Sequence, residues 1–312
     1  MPTIHRVWRQ GLRKALRVVA IAAALVAIVV IAAVFTAHSM GESKLARTVD
    51  VRVVPVAYAT DAAALRLGKY LFESRGCGEC HGMTGAGRVM LEDSGGLYVR
   101  APNITPSPGS VVAAYQEADW VRAIRHGVSP RGRALLIMPS EDYNRLTDID
   151  FASLVAYTRS LPPAAGPAGE VRLPPWLKAL YGAGAMRDAA EKIDHRLPPS
   201  APVAVAASVE HGSYVANMCI GCHGAGLAGG KIPGAPPDWP PASNLTPGEG
   251  SAMARYDSLD KFVAMMRTGK RPDATAVSKV MPFASLARMN DIDLQALYAY
   301  LGTVSARKAG SR

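Results

Sequence analysis

The alternation of apolar and polar positions divides the chain into one unbroken apolar stretch near its start and two long segments of helical periodicity, separated by a proline-rich passage. The apolar stretch runs from Val18 to Phe35 and continues through Thr36, Ala37 and His38 without a formal charge until Glu42. A secretory signal needs an apolar core of about 7–15 residues and a spanning helix about 20, so the run predicts a single N-terminal transmembrane anchor. A long signal cleaved near Ala37 is the competing reading. Leu45 to Ala59 is β-branched and partly basic and predicts an irregular tether.

Helical periodicity then begins. Thr60 is expected to cap a helix carrying Leu67, Tyr70 and Leu71, with Gly68 as a point of close backbone approach. A stretch rich in Gly, Asn and Pro follows and includes Pro102-Asn103-Ile104-Thr105-Pro106. A second helix is predicted from about Glu117 through Trp120, Val121 and Ile124, stopping at Gly127. Thr147-x-x-Asp150 reads as a capping box opening a helix with Phe151, Leu154, Val155 and Leu161, ended by Pro162 and Pro163.

The same order recurs at an offset of 142 to 144 residues. Gly212 answers Gly68, and Asn244-Leu245-Thr246-Pro247 answers the Asn103 turn. Phe262, Val263, Met266 and Gly269 answer Trp120, Val121, Ile124 and Gly127, while Asn290-x-x-Asp293 opens a last helix with Leu294, Leu297, Tyr298 and Leu301. A period shared by helices and turns alike identifies two copies of one small helical domain. The expected organisation is a tail and anchor (1–41), a tether (42–61), a first domain (62–162), a Pro-rich linker (163–206), a second domain (207–305) and a basic tail (306–312). The linker composition predicts flexibility. Trp176, Leu177, Leu180 and Tyr181 form a short helix candidate within it, able to pack across the two domains or against a partner.

Charge changes the picture only at the N-terminus. The formal net charge is +10, but Arg6, Arg9, Arg13, Lys14 and Arg17 precede any acidic residue, leaving 30 Lys and Arg against 25 Asp and Glu. The later basic residues are scattered, which excludes a nucleic-acid footprint. Basic residues before the apolar run and none close behind it predict a cytoplasmic N-terminus and an exported remainder.

The candidate chemistry sits in Cys77-Gly78-Glu79-Cys80-His81 and Cys219-Ile220-Gly221-Cys222-His223, which use all four cysteines. Cys-x-x-Cys-His is the attachment signature of c-type haem. Positions one and four share a face of a helical turn, so both sulfurs reach one porphyrin, and the His is placed to ligate iron. A zinc site built from two Cys pairs spaces them by about 15 to 20 residues; these lie 142 apart, each with its own His. Two covalently bound haem c groups are expected, held by Cys77, Cys80, Cys219 and Cys222, with His81 and His223 as iron ligands.

Met138 lies 57 residues after His81 and Met281 lies 58 after His223, each followed by Pro, which keeps it in a loop. They are the expected sixth ligands. Met265, Met266 and Met289 read as core filling. His126 is the rival ligand in the first unit, but its counterpart is Thr268, so it reads as a helix-terminal or surface His; His195 and His211 are expected to face solvent. Asn103 and Asn244 read as capped turns, or equally, by what a resemblance to class I cytochromes c implies, as groups that hydrogen-bond the haem edge.

On these motifs the chain resembles the class I cytochrome c fold, over about 200 of its 312 residues. The resemblance implies an all-α architecture: two tandem domains, each wrapping one haem with His and Met ligands, the first and last helices crossing, behind one transmembrane helix. The tandem behind an anchor also resembles the cytochrome subunits of bacterial periplasmic alcohol, aldehyde and gluconate dehydrogenases, many of which carry three haem motifs where this chain has two. The resemblance implies a carrier anchored in the cytoplasmic membrane with its haem domains in the periplasm. It would take electrons from a dehydrogenase subunit or other donor and deliver them to an oxidase or soluble cytochrome. No catalytic acid, base or nucleophile is then needed. The alternative is a dihaem peroxidase or a small-substrate oxidoreductase, such as a thiosulfate oxidiser.

Overall fold

The computed structural model describes residues 2–236 and 238–312, with the backbone alone for residues 2–10, so the side chains of Arg6 and Arg9 lie outside the described residues. The helices of the first half are α1 (Pro2–Ala46), α2 (Ala62–Ser74), α3 (Cys77–His81), α4 (Glu117–His126), α5 (Asp148–Ser160), α6 (Pro175–Gly182) and α7 (Ala189–Lys192). Those of the second are α8 (Val209–Val215), α9 (Ile220–His223), α10 (Leu259–Thr268), α11 (Phe283–Leu286) and α12 (Asp291–Leu301). Two compact units result: Met1–Ala46 with Pro175–Met186, and Arg47–Pro174 with Arg187–Arg312.

In the smaller unit, α1 is long and apolar enough from Gly11 onward to cross a membrane. α6 is seated against its C-terminal end. Gly41 and Gly182 permit the contact: a Cβ on Gly41 would strike the Lys178 carbonyl, and one on Gly182 would strike Ala37 and Gly41 backbone. Lys44 donates to the Tyr181 carbonyl at 3.0 Å and lies 4.2 Å above the Tyr181 ring. Leu177 and Tyr181 are buried, whereas Trp176 and Leu180 are exposed.

The larger unit contains both helical repeats. α2 starts one residue later than its expected cap, because the Asp61 carboxylate, rather than Thr60, accepts from the Ala64 amide at 2.9 Å. α4 and α10 stop at Gly127 (φ 65°) and Gly269 (φ 68°), left-handed positions that favour glycine. First and last helices cross at glycine in both repeats. A Cβ on Gly68 of α2 would collide with the Ser153 carbonyl of α5, and one on Gly212 of α8 with the Ala296 carbonyl of α12. Phe72, Trp120, Phe151 and Val155 centre the first core; Phe262, Met265, Met266, Met289 and Leu294 centre the second. Burying each such large side chain contributes about 1.5–3 kcal/mol.

Two expectations change. The all-α description omits an antiparallel sheet ordered β1 (Arg88–Glu92), β2 (Tyr98–Ala101), β3 (Glu170–Arg172), with Tyr98 opposite Arg172 and Arg100 opposite Glu170. Arg100 also binds Glu170 at 3.0 Å. Nor do the linker segments of this unit hang free. Asn103 donates to the Ala164 carbonyl at 2.7 Å, Lys192 pairs with Glu141 at 2.6 Å, and Ala189, Ala190 and Ile193 are buried. Proline content signalled irregular backbone, but backbone and apolar partners supplied by the first repeat hold it.

The repeats pack through a reciprocal, isologous contact. Asn290 Oδ1 accepts from the Asp293 amide at 2.8 Å, but the Asn290 amide donates to Tyr70 Oη at 3.1 Å, and Tyr70 in turn donates to Asp293 at 2.5 Å. In mirror fashion Thr147 Oγ1 accepts from the Asp150 amide at 3.1 Å, the Thr147 amide donates to Tyr214 Oη at 3.1 Å, and Tyr214 donates to Asp150 at 2.5 Å. Each capping box is thus closed by a tyrosine hydroxyl from the other repeat. Asp293 is also paired directly with Arg75 at 2.5 Å and accepts from His211 Nε2 at 2.7 Å, whereas Arg125, the buried cation near Tyr214, pairs with Asp148 at 2.8 Å. His211, expected at the surface, is buried because the last helix of its own repeat gives its ring this carboxylate.

Removing the Tyr70 hydroxyl leaves the buried Asp293 carboxylate short of a donor, so Tyr70→Phe should cost about 1–3 kcal/mol, and Tyr214→Phe, whose partner Asp150 is half-buried, about 0.5–1.5 kcal/mol, read as a lowered denaturation midpoint. Gly68→Val and Gly212→Val should each cost about 1–3 kcal/mol or more by overpacking the crossings. Burial pushes the Asp293 carboxyl up, but Arg75 and the hydrogen bonds from Tyr70, Arg75 and His211 outweigh it and hold its pKa below the ordinary value. That contribution is complete above about pH 4 and is lost as pH falls through the lowered pKa. Acid titration of stability should therefore lose one component in Asp293→Asn.

Candidate functional site

Glycines shape both Cys-x-x-Cys-His turns. Gly76 (φ 86°) delivers the chain into α3, and Gly82 and Gly224 (φ 74° and 78°) turn it away behind each His. His81 Nδ1 donates to the Pro102 carbonyl at 2.9 Å, and His223 Nδ1 to the Ser243 carbonyl at 2.8 Å. A carbonyl only accepts, so both rings carry their proton on Nδ1 and leave Nε2 able to bind a metal, as a backbone carbonyl behind the ring does for a metal-binding imidazole. Burial lowers both imidazole pKa values and keeps the rings neutral.

None of the four cysteines is paired with another. Burial pushes the Cys77 and Cys219 thiols up to about 12, which disfavours the thiolates that zinc requires. Among the described residues no three His, Cys, Asp or Glu side chains form a metal-binding group. Cys77 and Met138 both border the first core, and Cys219 and Met281 the second. Pro139 (φ −80°, ψ 63°) and Pro282 (φ −79°, ψ 67°) make matching inverse γ-turns, with Ser140 and Phe283 amides donating to the Met138 and Met281 carbonyls at 2.9 and 2.8 Å.

These residues suit a covalently bound haem. Besides the neutral thiols and oriented imidazoles, the buried Trp120 indole N–H has no acceptor among the described residues, and a propionate carboxylate would provide one. Asn103 and Asn244 are capped turns in their observed contacts: each side-chain oxygen accepts from the amide and hydroxyl of Thr105 or Thr246. Each amide donates onward, to the Ala164 and Arg307 carbonyls respectively. His126 ends α4 and meets His195 through their Nδ1 atoms at 2.9 Å, so His195 has a protein partner rather than water alone.

Residues outside the motifs join the two turns. The Gly221 amide of the second turn donates to Asp142 at 2.7 Å, and the Ser285 amide, beyond Met281, donates to Glu79 of the first turn at 2.9 Å. Tyr143 donates to the Arg75 carbonyl at 2.8 Å. Burial and the neighbouring Glu141 push the Asp142 carboxyl well up despite the Gly221 bond. Each methionine loop therefore touches the other repeat's Cys-x-x-Cys-His turn. Asp142 and Arg75 carried no motif, and Glu79 stood only at an unspecified position of the first Cys-x-x-Cys-His; Tyr70 and Tyr214 were detectable only as a pair at the repeat offset.

The family described as cytochrome C oxidase, cbb3-type, subunit III matches residues 63–157 and 207–301. The chain is 27% identical to the fructose dehydrogenase cytochrome subunit of Gluconobacter japonicus over 284 residues, 81% of this chain and 55% of that one. It is 36% identical over 105 residues to the cytochrome c subunit of a quinone-type alcohol dehydrogenase of Gluconacetobacter polyoxogenes, covering 32% of this chain and 22% of that one. For the gluconate 2-dehydrogenase cytochrome c subunit of Pantoea cypripedii the figures are 34% over 105 residues, 32% and 23%. This chain thus spans about half or less of the length of these relatives. Covalently bound haem c is the cofactor that membership in such a family implies. With the same domain matched twice on two equivalent Cys-x-x-Cys-His turns, the chain belongs to this family of c-type cytochromes.

Proposed function

We propose that the chain is a membrane-anchored dihaem electron carrier. It takes electrons from a periplasmic dehydrogenase subunit and passes them to a terminal oxidase or soluble cytochrome. The observation that carries this reading is the duplicated ligand geometry: two imidazoles with matching Nδ1–carbonyl bonds and two methionines in matching Pro turns, at offsets of 142 and 143 residues.

Cys77 and Cys80 would hold the first haem and Cys219 and Cys222 the second, through thioether bonds. His81 with Met138, and His223 with Met281, would fill the axial positions. When bound, haem c supplies a reversible one-electron iron couple. Thioethers supplied by Met138 and Met281 would favour the reduced state and leave peroxide no open position. Asp142 and Glu79 fix the attachment turns against the opposite methionine loops, so the protein contributes a set separation rather than acid–base chemistry. The basic flank of α1 supports a cytoplasmic N-terminus and periplasmic haem domains. Relatives named as dehydrogenase cytochrome subunits support a dehydrogenase donor.

Met138→His should lower the first haem's potential by on the order of 0.1 V or more, within the ~0.8 V range that axial ligands command, and Met281→His should do the same for the second. Potentiometric titration of the holoprotein reads both; an unchanged potential rejects that ligand. Peroxide should leave the visible spectrum of the native protein unchanged, and a peroxide-sensitive spectrum would favour the peroxidase reading instead.

A further inference from the structure

α6 leaves an apolar face uncovered. Trp176 and Leu180 are 49% and 43% exposed, and with exposed Ala183 in the turn that follows they fall at i, i+4 and i+7, one stripe of a helix. Lys178 and Gly182, which meet Gly41 of α1, lie on the opposite face. The free stripe has no charged residue: Lys178 turns aside to pair with Glu42 at 2.5 Å.

The position of the contact along α1 identifies what covers this face. The run Val18–Phe35 is 18 residues, about 27 Å of helix at ~1.5 Å per residue and so close to the ~30 Å hydrocarbon thickness. α6 meets α1 at Ala37 and Gly41, about 3 and 9 Å beyond Phe35 on the same scale. The polar headgroup layer occupies about 5–8 Å on each side of a bilayer. The cleft beside the contact, about 470 Å³, is lined by Phe35 and Met40 as well as Ser43 and Lys44, combining apolar and polar groups as an acyl-chain boundary does. Trp is favoured at that depth, where its ring is amphipathic.

We infer that α6 is an interfacial membrane helix, with Trp176 and Leu180 inserted into the headgroup–acyl boundary of a phospholipid bilayer beside the point where α1 leaves it. The chain then returns to the bilayer surface between its two haem domains, giving the protein two membrane attachments. This rests on the reading of α1 as a membrane anchor. Gly41 and Gly182 hold the two attachments together, since a side chain at either would unseat α6.

The test is photolabelling of the full-length holoprotein in phosphatidylcholine–phosphatidylglycerol vesicles that contain a phospholipid with a diazirine near its ester carbonyls, followed by peptide mapping. Adducts in the α1 apolar run and also at Trp176 or Leu180 are expected. In Trp176→Gln/Leu180→Gln, labelling at 175–186 should fall about tenfold or more, the factor carried by each ~1.4 kcal/mol of lost transfer free energy, while α1 labelling stays. Adducts in α1 with none at 175–186 would overturn the inference and leave the anchor intact, pointing to a protein partner on this face. Absence of adducts in α1 as well would mean that the anchor reading itself had failed.

Discussion

Two tyrosine hydroxyls hold the haem-bearing part of this protein in one piece. An α-helix begins with amide groups that need acceptors, and the last helix of each repeat meets that need only partly with its own capping residue. Tyr70 and Tyr214 complete the two caps from across the boundary, each accepting from a cap amide and donating to the carboxylate one turn on. The bonds are reciprocal, so the two repeats form an isologous pair within one chain, the arrangement that closed dimers use. The constraint then reaches the chemistry: the same packing seats Glu79 on the loop after Met281, and Asp142 on the second Cys-x-x-Cys-His turn.

The pair is not perfectly symmetric. Arg75, close to Cys77 in sequence and buried, ion-pairs with Asp293, whereas Asn217 occupies the equivalent place in the second repeat and donates only to the Tyr214 carbonyl. A buried arginine paired directly with one capping-box carboxylate, and one near the other that pairs instead with Asp148, give the two domains different electrostatic surroundings. Two haems in such surroundings would differ in potential even with identical axial ligands, and a difference in potential gives a relay its direction.

Much of this was legible in the sequence because it depends on local chemistry. Helix stops at Gly127 and Gly269, the close crossings at Gly68 and Gly212, and the repeat itself follow from residue type and spacing. What stayed hidden depends on partners distant in the chain. The β1–β2–β3 sheet needs a third strand about 70 residues beyond the second, and nothing local announces that pairing. His211 looked like a surface residue until the fold supplied Asp293, 82 positions away. Composition suggested a mobile linker, yet Asn103, Glu141 and His126 bind its flanks. Thr147-x-x-Asp150 and Asn290-x-x-Asp293 were correctly read as helix starts, while the hydroxyl that closes each one came from the other domain.

A two-haem carrier built on this repeat needs one haem in each copy. Pyridine haemochrome absorbance together with the intact mass of the purified full-length chain tests this most directly, comparing the native protein with Cys77→Ala/Cys80→Ala. Two covalent haems per chain in the native protein, and one in the variant, are the predicted result. One haem or none in the native chain, or an unchanged count in the variant, would contradict it.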